Sequence, residues 1–195
     1  MEIYFTADVI SNILTHLNKD DSFSFLNMTK DMNQYKRILY NKYLFDHDKT
    51  EINFRQYVKN LKCYNVKYVD HYKNLQSLVI YMHINTENKR QTKLPESIKS
   101  VKLQSCDNYN YLLQILPVSL QSLIILSWTF NEVVDTLPNT LQSLHIDSRH
   151  FNQLVSKLPI SLKSLTIDCG SFNQSISNLP DTLQKLEIYS ANFNQ

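Results

Sequence analysis

The sequence predicts an α+β chain, a small cluster of helices followed by a repeat solenoid whose strands form one parallel sheet. Three observations carry that reading. Leu-Pro pairs recur at Leu116-Pro117, Leu137-Pro138, Leu158-Pro159 and Leu179-Pro180, 21 residues apart, with Leu94-Pro95 one residue out of step. Phe-Asn pairs keep the same interval at Phe130-Asn131, Phe151-Asn152, Phe172-Asn173 and Phe193-Asn194, and Tyr109-Asn110 stands one step earlier. Residues 6–45 instead set apolar side chains at helical spacing. A fixed period of this length marks stacked units, each too small to bury its apolar face alone.

Taken in order, the first helix covers residues 6–17. Its stripe is Val9, Ile10, Ile13, Leu14 and Leu17, with Thr6 as N-cap and Asp8 in the first turn. Asn18-Lys19-Asp20 breaks the pattern. A second helix starts near Asp21 and offers Phe23, Phe25, Leu26 and Met28; a third runs from Met32 to Phe45 with Tyr35, Ile38, Leu39 and Leu44. The chain thus divides into a helical domain over 1–45, a linker and solenoid cap over 46–71, and repeats over 72–195. Within the linker, Phe54, Tyr57, Val58 and Leu61 fit one helix face, and Cys63 to Val69 are expected to supply a capping strand. Leu75 to Ile80 form the first repeat strand, with Tyr72 where proline belongs, and the polar residues 84–93 are expected as an irregular loop.

Inside one repeat, Leu141, Leu144 and Ile146 follow Leu-x-x-Leu-x-Ile spacing. Alternation along a strand turns Leu144 and Ile146 inward and Ser143, His145 and Asp147 outward. Phe151 takes a further buried position, Val155 and Leu158 return on the outer side of the coil, and the rings Tyr109, Phe130, Phe151 and Phe172 are expected to stack in one core. Pro138 cannot donate to a sheet, so it belongs at the corner before the strand, with a φ suited to the second position of a turn. Thr140 and Ser161 are expected to bond locally to the backbone there, and Asn152 to serve the backbone beside a buried ring. The last strand has an exposed edge, a liability that calls for a longer chain or a covering partner.

The consensus Phe-Asn-x-x-Ile/Val-x-x-Leu-Pro-x-Ser/Thr-Leu-x-Ser-Leu-x-Ile resembles the FNIP repeat, a relative of the leucine-rich repeat frequent in social amoebae and in the giant viruses that infect them. The likeness is strong over residues 94–195 and weak over 72–93. It implies a leucine-rich-repeat-like solenoid used for protein–protein interaction. Residues 5–45 resemble an F-box: Ile13-Leu14-Thr15-His16-Leu17 fits the end of its first helix, Asp21 the acidic start of the second, Met28 and Met32 its later apolar positions. Phe5-Thr6 replaces the usual Leu-Pro, and Ser22 replaces an apolar residue. That resemblance implies docking on a Skp-type adaptor through Phe5, Val9, Ile13, Leu14 and Leu17. Together the two imply a substrate receptor of a cullin–RING ubiquitin ligase. The alternatives are a plain helical cap at the solenoid's end and a repeat scaffold with no ubiquitin role.

Composition excludes several classes. The net charge is +2, and basic residues are not concentrated in either half, so neither nucleic acid nor a membrane surface is an expected partner. Cys63, Cys106 and Cys169 show no paired spacing, and no signal-like segment precedes them, which points to a reducing, cytoplasmic setting (host cytoplasm if the chain is viral). Gly170 is the only glycine, which excludes Gly-rich phosphate loops and the nucleophile elbow together. No cofactor, metal site or catalytic set is expected, although His145, Asp147 and Asp168 share a face.

What remains is a binding face. One outward column runs Val79, Lys102, Ile124, His145, Thr166 and Glu187, the next Tyr81, Gln104, Leu126, Asp147, Asp168 and Tyr189. Beyond them, where the strands end, come Cys106, Trp128, Arg149, Gly170 and Ala191. Most outward residues are polar, but Ile124, Leu126 and Trp128 are not, and an apolar cluster rimmed by polar groups is a contact site. The expected target-binding set is Tyr81, Ile124, Leu126, Trp128, His145, Asp147, Arg149, Asp168 and Tyr189. The alternative packs 124–128 against the helices or the 84–93 loop.

Overall fold

The computed structural model describes residues 16, 45–46, 59–63, 69, 72, 74–81, 93–106 and 108–195. The three N-terminal helices, apart from a helical, exposed His16, lie outside the described residues, as do the loop expected over 84–93, apart from Lys93, and most of 63–69. The F-box-like part of the expected fold therefore has no described counterpart.

Among the described residues eight strands make one sheet in chain order. They are β1 (Phe45–Asp46), β2 (Asn60–Cys63), β3 (Ser77–Tyr81), β4 (Ser100–Gln104), β5 (Ser122–Leu126), β6 (Ser143–Asp147), β7 (Ser164–Asp168) and β8 (Lys185–Tyr189). Every neighbouring pair is parallel. Parallel strands in strict chain order require each connection to travel round and re-enter beside the strand it left, so the chain coils as a leucine-rich-repeat-like β-solenoid. The described part holds little helix beyond α1 (Tyr109–Gln114).

Register follows the repeat. Ser122, Ser143 and Ser164 lie in one row, and Leu123, Leu144 and Leu165 in the next, each strand being five residues long. The inner residues of these strands are fully or almost fully buried while their neighbours are half-buried or exposed. The aromatic residues form a column behind the sheet: Phe130, Phe151, Phe172 and Phe193 stack with centroids 5.6, 5.9 and 5.9 Å apart. Tyr109 meets Phe130 edge-on at 4.9 Å. Such spacing lies within the favourable range for ring pairs.

Polar side chains join each coil to the one before it. Asn131, Asn152 and Asn173 each accept from the backbone N–H of the next coil's asparagine at 2.9–3.0 Å and from the following glutamine amide at 3.1–3.2 Å. Ser148 and Ser190 donate to the carbonyls of Phe130 and Phe172 at 2.8 Å, and Cys169 takes the same place against Phe151. Thr140, Ser161 and Thr182 donate to two carbonyls of the preceding coil rather than locally, as Thr140 does to Val118 and Leu120. The reason is the corner itself. Its turn is already closed by backbone, Leu141 N–H donating to the Pro138 carbonyl at 3.0 Å, so the hydroxyl is left to face the neighbouring coil. Proline is thus the first residue of that turn, not the second. Tyr72 plays the same part for Leu75 without the proline ring.

Two elements differ from expectation. Leu61, expected at the end of a helix face, lies in β2, fully buried and paired with Leu78. The free edge of β3 needs a partner, and Leu61 supplies an inner side chain at the right register. Phe45, expected to end the third helix, pairs with Leu61 in β1. The coil at Tyr109 is also irregular. Where later repeats hold no helix, it forms α1, capped by the Asn108 side chain accepting from Tyr111 N–H. One residue more separates Ser105 from Tyr109 than separates Ser127 from Phe130, and Ser105 takes a φ of 51° to absorb it. That left-handed turn swings Cys106 inward, where it is buried near the Ile80 carbonyl, instead of continuing the outward column of Trp128 and Arg149.

Candidate functional site

The side chains that alternate away from the core form an open face, and its register follows from the pairing of β5 to β8. Leu126, Asp147, Asp168 and Tyr189 are direct partners in sequence along the row. Adjacent strands lie about 4.8 Å apart, so the four side chains make a continuous band. Trp128 and Arg149 follow where β5 and β6 end. The chain turns there because the next residues, Ser127 and Ser148, are held inward; Ser148 is bonded to Phe130 of the preceding coil.

Trp128 is 73% exposed, and the Arg149 guanidinium lies 5.7 Å from its ring centroid. That cation–π contact orients both groups without hiding either. A hollow of about 410 Å³ opens over this region, bounded by Gln104, Leu126, Trp128, Asp147, Arg149 and Asp168. Ser105, Ser127, Ser148 and Gly170 complete its wall. A Cβ built on Gly170 would meet nothing within 4 Å. The glycine therefore leaves a gap in a row that carries an indole and a guanidinium at the two preceding positions.

Of the expected target-binding residues, the structure brings Leu126, Trp128, Asp147, Arg149 and Asp168 into this hollow. Tyr189 is exposed and stands next to Asp168. Ile124 and His145 are half-buried partners one alternate position earlier on the strands. Tyr81 lies apart, with the Lys62 ammonium 4.4 Å from its ring. Gln104, Ser105 and Gly170 are lining residues that the sequence reading did not single out for binding. Gly170 carried the one usable signal, being the only glycine in the chain. Phe5, Val9, Ile13, Leu14 and Leu17, expected to meet an adaptor, lie outside the described residues.

Elsewhere on the face, Glu187 is held below the ordinary glutamate range, first by the Lys185 ammonium at 3.0 Å and also by the Thr166 hydroxyl at 3.2 Å. At a corner, burial pushes the Glu96 carboxyl up, but hydrogen bonds from Ser119 and from the backbone of Val118 and Ser119 outweigh it, and Lys99 adds to them. Its net shift is downward. Among the described residues no group of three or more His, Cys, Asp or Glu side chains is placed to hold a metal ion, and no helix is long and apolar enough to cross a membrane.

No protein-family model matches the chain, and no curated protein matches it significantly. Among solved structures the chain is similar to CroV588, a giant-virus protein described as a novel circular leucine-rich-repeat structure, at 22% identity and a TM-score of 0.47. That match covers 72% of this chain and 28% of CroV588.

Proposed function

We propose that the chain is a non-catalytic substrate receptor of a cullin–RING ubiquitin ligase, working in the cytoplasm. In this reading residues 1–45 dock as an F-box on a Skp-type adaptor, and the repeats, of the FNIP type, hold a target protein on their open face. The observation that carries the binding half is Trp128, 73% exposed beside Arg149 on a mostly polar sheet face. A solvated indole adds little to the solenoid's stability, and tryptophan and arginine are both enriched at the energetic centres of interfaces. The ubiquitin half rests on the F-box resemblance of residues 5–45.

A second reading, a repeat scaffold with no ubiquitin role, shares the same face and differs only in what residues 1–45 do. Calorimetry of the full chain against a Skp-type adaptor separates the two. The expected result is binding by the wild type and loss in Val9→Asp, with the β-sheet circular dichroism unchanged. Absence of binding by the wild type overturns the receptor reading and leaves the scaffold.

A further inference from the structure

Asp147 and Asp168 are direct partners in the register of β6 and β7. Like charges placed opposite each other on neighbouring strands weaken a sheet. The fold does not require them there, because the same repeat position holds Tyr81, Gln104, Leu126 and Tyr189 on other strands. Lys157 pairs with Asp135 and Lys185 with Glu187, and among the described residues neither Asp147 nor Asp168 has a cation within salt-bridge distance. The nearby Arg149 lies over Trp128 instead.

The surroundings of the two carboxylates are those of a side-chain slot. Leu126 and the indole of Trp128 flank them on the β5 side and Tyr189 on the β8 side. Gly170 leaves the approach over Asp168 open. Apolar walls beside a doubly acidic floor match a long cationic side chain, whose methylene stem covers apolar surface while its head reaches the charge. A neutral or acidic partner would leave the repulsion between the aspartates unrelieved.

Resting on the reading of this face as the target surface, we propose that it captures a basic segment of a partner protein, seating a lysine or arginine side chain between Asp147 and Asp168 and against Trp128. The partner's cationic head is drawn by two neighbouring carboxylates at once.

The test uses the full chain and fluorescence anisotropy with three labelled short peptides. All share one alternating apolar frame and carry lysine, glutamine or glutamate at two central positions. The lysine peptide is expected to bind tightest, to weaken as salt rises, and to lose about tenfold in affinity in the double variant Asp147→Asn with Asp168→Asn. Gly170→Trp is expected to block it with little change in melting temperature, since a Cβ at this position meets nothing within 4 Å and the indole extends over the hollow. Equal binding of the glutamine or glutamate peptide overturns the proposal, as does lysine-peptide binding that ignores both variants, or no lysine-peptide binding at all. The broader reading of the face fails separately, if Leu126→Ser with Trp128→Ala leaves the set of captured host proteins unchanged.

Discussion

Truncating Phe151 to alanine removes a ring from the middle of the aromatic column. Phe151 is fully buried and lies between Phe130 at 5.6 Å and Phe172 at 5.9 Å, so its loss leaves two rings without a partner on one side. Closed cores charge about 3–5 kcal/mol for Phe→Ala. Phe193 has a ring neighbour on one side, Phe172 at 5.9 Å, and is only partly buried. Its truncation should cost about 1–2 kcal/mol, because a half-solvated side chain loses less transfer energy and leaves no closed cavity. With a urea dependence of about 2 kcal/mol per molar, the midpoint falls by about 1.5–2.5 M for Phe151→Ala and by about 0.5–1 M for Phe193→Ala. Far-UV circular dichroism in urea reads both. Phe151→Leu, expected to cost about 1–2 kcal/mol, keeps the comparison measurable if Phe151→Ala does not fold. Equal midpoint losses at 151 and 193 would refute the continuous column.

The other expectations are smaller. Asn152→Ala removes the acceptor for Asn173 N–H and the Gln174 amide and should cost about 1 kcal/mol in the same melts, the groups being exposed. Cys169→Ser should stabilise by about 0.5–1 kcal/mol, because Ser148 and Ser190 make the equivalent bond at 2.8 Å with a stronger donor. Leu126→Ser with Trp128→Ala should cost under about 1 kcal/mol by thermal melt; outright unfolding would show the cluster to be core. Glu96 and Glu187 have folded pKa values below the ordinary 4.5, so each favours the fold above that pH and its contribution is lost as pH falls through the lowered value. Acid titration of Glu96→Gln should accordingly show a flatter loss of stability than the wild type.

The solenoid was legible because its signals are redundant. Five prolines, four Phe-Asn pairs and the Leu-x-x-Leu-x-Ile spacing all mark the same interval, so each supports the others where one is missing, as at Tyr72 and Tyr109. β2 was not legible. Leu61 precedes Leu78 by less than a full repeat and has no proline or Phe-Asn beside it, so periodicity alone left it on a helix. α1 escaped for a different reason: Tyr109-Asn110 reads as a variant Phe-Asn pair, and only the extra residue after Ser105 lets that coil tighten. The outward columns were legible from alternation, which placed Leu126 beside Asp147 and Asp147 beside Asp168. What alternation does not carry is depth. The half-burial of Ile124 and His145 and the gap at Gly170 depend on neighbouring coils, as does the direction of the Thr140 and Ser161 hydroxyls.

Each regular coil brings its own donors and finds the acceptors in the coil before it. Asn152 serves Asn173 as Asn131 serves Asn152, and Thr182 meets Leu162 as Thr140 meets Leu120. The seam between two units is therefore written entirely in the units themselves. Recombination that duplicates or removes one whole unit recreates a working seam at the new junction, whereas gain or loss of a single residue displaces the cross-coil bonds of the coil that carries it unless a turn takes up the slip. Ser105 marks a place where one such slip has been absorbed, by a left-handed turn outside the strand. Genes built on such units can change in length by whole steps, and with each step the open face gains or loses one strand's worth of outward side chains while the rest keep their places.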